Sequence, residues 1–173
     1  MTESTPQPGV PASPDTIVIL TEEALDDGDA ARIRALHEGE TLTYRVLVPA
    51  DTERNLLADV VDHLSLGELR EALDAIRGRD HGHADEPKEA GQALAESVEA
   101  LRGQGVEATG EVTEDDPLPA LTSAVQRFAA REVVVVTRPH AVEDTFHRDW
   151  ASRARDVLGV PVLHVYAGTT FLG

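Results

Sequence analysis

Cysteine is absent from the 173 residues, which excludes disulfide frameworks, zinc–thiolate sites and cysteine nucleophiles. Lysine is nearly absent as well: Lys88 stands alone beside 14 arginines, and these 15 cations face 32 carboxylates for a formal net charge of −17. A chain so acidic repels phosphate backbones and anionic lipid, so neither nucleic acid nor a membrane surface is expected as a partner. The lysine deficit fits a GC-rich genome or a salty cytoplasm alike and names no reaction. Long apolar runs are missing too, and Met1 is followed by Thr, Glu and Ser rather than by a basic and then an apolar stretch. No transmembrane helix or signal peptide is read, and the expected location is cytoplasmic. Aromatics make up 3% of the chain, so its core must be aliphatic.

What is present is a run of β-branched residues, Val133-Val134-Val135-Val136, followed one helix-length later by Pro161-Val162-Leu163-His164-Val165. An uninterrupted run of this kind has no wet face, so it reads as a central strand of a parallel sheet covered by helices on both sides. Thr16-Ile17-Val18-Ile19-Leu20 has the same character, and residues 44–48, ended by Pro49, form another strand. Val106-Glu107-Ala108-Thr109-Gly110-Glu111-Val112 alternates instead, which marks a strand at the sheet edge with one wet side.

Helices fall between these strands. Ala30, Ile33 and Leu36 share one side of the first, closed by Gly39, and Leu94, Val98 and Leu101 form the stripe of another that stops at Gly103 to Gly105. Asp116-Pro117 starts a helix with Leu118, Leu121, Val125 and Phe128 facing the sheet, and Phe146, Trp150, Ala154, Val157 and Leu158 belong to the last, ended by Gly159. Two consecutive amphipathic helices are expected as an insertion at about 52–78, capped at Asp51 and Ser65. Residues 1–15 hold four prolines without apolar periodicity and read as a disordered tail before a single α/β domain over 16–173.

This order of elements, with Val133-Val134-Val135-Val136-Thr137 and Val160-Pro161-Val162-Leu163-His164-Val165 as the closest matches, resembles the universal stress protein family over about residues 16–166. The resemblance implies an open, Rossmann-like, five-stranded parallel sheet in the order 3-2-1-4-5, and a homodimer paired through the last strand at Val162, Leu163, His164, Val165 and Tyr166. Nucleotide-binding members carry Gly-x-x-Gly-x9-Gly-[Ser/Thr] after the fourth strand, where bare backbone amides let phosphates approach. Here the equivalent positions are Val136, Pro139, Asp149 and Trp150: two add bulk, one removes an amide donor and one adds an anion. The family's acidic residue after the first strand is replaced by Thr21, with Glu22 beside it. A second alignment starts the family pattern at residues 44–48 with Asp51 as the acid, leaving 16–20 as a surplus strand and the glycines still missing.

Thr137, Arg138 and His140 follow a central strand at its carboxyl end, where open α/β sheets bind ligands; with Thr21 they are the expected lining of any pocket. His81 and His83, with Asp80, Asp85 and Glu86, read as a solvated linker rather than a metal site, and no Ser-His-Asp order, nucleophile elbow or Walker loop is present. No metal or cofactor is expected. The reading is a non-enzymatic, stress-associated regulatory or interaction protein that does not bind ATP in the family's usual mode. The alternative is a small-molecule or nucleotide binder, or a weak hydrolase, with a non-standard pocket at the carboxyl ends of strands 1 and 4.

Overall fold

The computed structural model describes residues 14–50, 86–113, 117–137 and 155–168. The helices expected over 52–78, the linker expected around His81 and His83, Arg138, Pro139, His140, Asp149 and Trp150, and the first 13 residues lie outside them. The described elements are β1 (Asp15–Thr21), α1 (Asp27–Ala35), β2 (Leu42–Pro49), α2 (Glu86–Gly103), β3 (Glu107–Thr113), α3 (Pro117–Arg127), β4 (Glu132–Thr137) and β5 (Val162–Tyr166), with one helical turn at 155–158. β1 thus takes in Asp15, a residue that composition assigns to the tail.

All four strand pairings are parallel and the order is β3-β2-β1-β4-β5, as the resemblance implies, with apolar runs at the centre and the alternating run at one edge. β1 and β4 lie side by side at the centre, Val18 opposite Val133 and Ile19 opposite Val134. One face packs Ile17, Ile19, Val46, Val134 and Val136 against Ala30 and Ile33 of α1 and Leu101 of α2. The other packs Val18, Leu20, Val133 and Val135 against Leu118, Leu121 and Val125 of α3 and against Leu158. Each fully buried Val, Leu or Ile contributes about 1.5–3 kcal/mol, against about 0.2–1 kcal/mol for an exposed ion pair. The pairing of β1 with β4 therefore follows from the apolar runs, although Arg131, just before β4, also reaches Asp15 (3.1 Å) and Glu40 (3.0 Å) and holds the Glu40 carboxyl below its ordinary range.

Some apolar positions come out differently from the periodicity. Leu36 is the C-cap of α1 and 39% exposed, because steps of three residues on a 3.6-residue turn drift by about 60° each and carry it off the face of Ala30. Val157 is exposed beside buried Leu158, and Val112 is exposed on a strand that, among the described residues, pairs with β2 alone. Gly159 ends its helical turn with φ of +71°, as expected, whereas α1 already stops at its Leu36 cap and Gly39, with φ of +84°, closes the turn that follows.

Two internal contacts have no local signature. Gly110 lies opposite Val46, and a Cβ added there would overlap the carbonyl oxygen of Val46 and sit 2.6 Å from Cδ1 of Leu94, so α2 rests on bare backbone at this point. Ser97, fully buried in α2, accepts a hydrogen bond from the Leu25 N–H at 2.9 Å and donates to the Ala93 carbonyl at 2.7 Å, tying α2 to the loop that follows β1. No helix among the described residues is long and apolar enough to cross a membrane.

Candidate functional site

β1 and β4 leave the centre of the sheet toward opposite sides, since β2 follows β1 on one flank and β5 follows β4 on the other. Their carboxyl ends flank the topological switch point, where an open α/β sheet forms its crevice. Among the described residues, Thr21, Thr113, Thr137 and His164 of the strands have polar side chains buried toward this end of the sheet.

Thr21 is turned into its own loop. Its hydroxyl donates to the Glu23 carbonyl at 2.8 Å, closing a turn that delivers the chain to Asp26, whose carboxylate caps α1 by accepting from the Asp29 N–H at 2.7 Å. Asp29 is buried and accepts from the Gly168 N–H at 2.9 Å while pairing with Arg32, so the turn after β5 is fastened to the first turn of α1. Between positions 22 and 29 the chain places five carboxylates: Glu22, Glu23, Asp26, Asp27 and Asp29.

Thr137 has a different environment. In register, Thr21 stands opposite Val136, whereas Thr137 stands opposite Tyr166 and shares the other face of the sheet with His164. The two threonines therefore end neighbouring strands but point to opposite faces, and one pocket wall does not unite them. The Thr137 hydroxyl instead lies 2.7 Å from Nε2 of His164, and the His164 ring rests 4.6 Å from that of Tyr166. The Thr137 carbonyl accepts from the Ala167 N–H at 2.8 Å. A buried hydroxyl–imidazole pair can relay a proton or fix a hydroxyl's direction. Sequence reasoning named both residues for separate roles and missed the pairing, which needs the β4–β5 register to be seen.

Of the four positions that depart from the nucleotide motif, Val136 is described. It is 1% exposed, in the core layer between Thr21 of β1 and Val165 of β5. Of the last-strand residues, Val162, His164 and Val165 are buried, while Leu163 and Tyr166 are partly exposed. Val133 N–H donates to the Pro161 carbonyl and Ala167 N–H to that of Thr137, so odd-numbered residues of this strand turn their backbone groups toward β4. Val162, His164 and Tyr166 turn theirs outward, at an edge with no further strand among the described residues.

Among solved structures, the chain is similar to that of the hypothetical protein MJ0577, with a TM-score of 0.54 and 13% identity over 90% of this chain and 98% of that one. Two structures of the universal stress protein from Archaeoglobus fulgidus are also similar. The one in complex with dAMP has a TM-score of 0.49 and 16% identity, covering 87% of this chain and 96% of that one. The other has a TM-score of 0.47 and 13% identity, covering 86% and 92%. No family model matches the sequence, and no curated protein matches it. The open parallel sheet, its strand order and its helix layers are those of the universal stress protein type of Rossmann-like fold.

Proposed function

We propose that this chain is a non-enzymatic, stress-associated regulatory or interaction protein of the cytoplasm, one that takes no cofactor and does not bind ATP in the manner usual for universal stress proteins. The observation that carries this reading is Val136. At the position where nucleotide-binding members have their first motif glycine, an isopropyl group is packed into the core at 1% exposure, and close approach of a phosphate to that backbone is lost. The five carboxylates after β1 add to it, since a like charge held about 4 Å from a phosphate costs about 1 kcal/mol in water and more at lower effective dielectric. Thermal melts with and without millimolar Mg–ATP test the reading. A ligand at about 100 times its Kd would add about 2.7 kcal/mol, so an unchanged Tm is the expected result. A clear magnesium-dependent rise would sink it and promote the alternative binder, for which the buried Thr137–His164 pair at the switch point is the favouring observation.

The same reading makes the chain a homodimer paired antiparallel through β5. Support comes from β5 as the outermost strand among the described residues, on an edge that lacks charged side chains, in contrast to β3 with Glu107 and Glu111. Leu163 and Tyr166 are the side chains positioned to meet the partner, since Val162, His164 and Val165 are buried within one chain. A charge at Val165, 3% exposed, would therefore probe the core rather than the interface. Tyr166→Pro removes an outward N–H while leaving the bonds to β4 in place, a substitution that edge strands tolerate. Light scattering at micromolar concentration should give twice the 18.6 kDa of one chain for the parent and a single mass for Tyr166→Pro. A parent mass of 18.6 kDa removes the dimer.

A further inference from the structure

The arginines of the described residues divide by their partners. Arg32, Arg127 and Arg131 each meet a carboxylate, at Asp29, at Glu111 and at Asp15 with Glu40. No carboxylate partner is found among the described residues for Arg34, which donates to the His37 carbonyl at 2.8 Å, or for Arg45 and Arg102. Arg45 donates through Nη1 to the Thr109 hydroxyl and lies over the Phe128 ring, 4.7 Å from its centroid, while its Nε is shielded from solvent and has no acceptor. Arg102 donates through Nε to the Ala108 carbonyl at 3.0 Å. In a chain with more than twice as many carboxylates as cations, two guanidiniums without an acid between them are a local exception.

They also share a place. Both line a groove of about 350 Å³ at the amino end of β2 and β3, with Thr43, Glu107, Ala108 and Thr109 in its wall. The Ala50 N–H donates to the Thr113 carbonyl, so odd-numbered residues of β3 bond toward β2 and Ala108 turns its carbonyl outward, where Arg102 reaches it. Arg45 is braced by Phe128 and Thr109, and Arg102 by that edge carbonyl, which holds two planar, permanently charged forks beside one opening.

We propose that this groove binds a small oxyanion, the carboxylate or phosphate group of a small molecule, through Arg45 and Arg102. The distant carboxylates do not forbid it, because at physiological ionic strength charges beyond about 8 Å are largely screened. Of the charged side chains that line the groove, two are guanidiniums and one is a carboxylate, Glu107, whose Oε2 is 3.5 Å from the Thr43 hydroxyl, while Glu111 farther along β3 is paired with Arg127. Guanidinium forks match carboxylate and phosphate oxygens in pairs, and the volume suits a small ligand. The groove is at the opposite end of the strands from the switch point, so the proposal is independent of the reading given above for that crevice.

The test uses the full chain, titrated separately with inorganic phosphate and with citrate at constant ionic strength made up with sodium chloride, and read by calorimetry. Saturable binding of one or both in the millimolar range is expected, and the anion that binds tells phosphate from carboxylate. The Arg45→Gln, Arg102→Gln double variant should raise Kd about tenfold or more. Both side chains also pack on their neighbours, so a second variant covers the case in which the double one does not fold. Glu107→Gln, an exposed change in the groove wall, should tighten binding several-fold by removing the one carboxylate that lines the groove. No saturable binding of either anion overturns the proposal, as does binding that Glu107→Gln leaves unchanged or weakens, or that a folded double variant retains in full.

Discussion

Gly110→Ala is expected to destabilise the fold by about 3 kcal/mol or more, at or above the upper end of the usual cost of overpacking and a large share of the roughly 5–15 kcal/mol that holds a domain together. The added methyl overlaps the Val46 carbonyl oxygen and lies 2.6 Å from Leu94 Cδ1. Leu94 can swing aside, but the carbonyl belongs to β2 and cannot move without disturbing the β2–β3 ladder. Gly91 supplies the control. It lies inside α2 with nothing within 4 Å of an added Cβ, so the same substitution there should stabilise by about 0.5–1 kcal/mol through helix propensity. Urea unfolding of the two variants should give changes of opposite sign. A Gly110→Ala variant as stable as the parent would mean that α2 does not rest on β3 as described.

Ser97→Ala should lower stability by about 1–3 kcal/mol, and Tm by on the order of 5 °C for a chain of this length. The loss comes less from the missing bond than from what it leaves behind: the N–H of Leu25, in a residue only 3% exposed, without an acceptor. Alanine's better helix propensity offsets only about half a kcal/mol of this. Hydrogen exchange gives the local readout, since the Leu25 amide should exchange faster in the variant. An unchanged Tm together with unchanged exchange at Leu25 would show that the bond is not maintained in solution.

The parts of the fold that could be read from the sequence are those with a one-dimensional signature. Val133 to Val136 and Ile17 to Leu20 are apolar on both faces, and Glu107 to Thr113 alternates polar with apolar or small residues; those patterns mark the centre and one edge. Gly110, Ser97, and the Arg45–Arg102 groove depend on which residue of one element meets which of another, and no local pattern carries that information. An isolated glycine within a strand was the one available hint of a close approach. The candidate site was half legible for the same reason. Position relative to the switch point follows from strand order, so Thr21 and Thr137 could be chosen. Their opposite facing, and the pairing of Thr137 with His164, follow from register, which shifts every side chain to the other face with a slip of one residue.

The adjacency of β1 and β4 also has a consequence for the order of events during synthesis. Arg131 meets Asp15 across 116 residues of chain, so the central pairing closes only after four of the five strands have left the ribosome. Until then β1 can pair with β2 on one flank while the backbone N–H and C=O groups of its other flank lack their β4 partners, an open edge of the kind that recruits strands from other chains. The β1–β4 seam, with Val18, Ile19, Val133 and Val134 fully buried, thus closes after β1 and β2 can already pair. Long-range parallel pairing is slow to begin with, and here the delay falls on the strand least able to tolerate exposure.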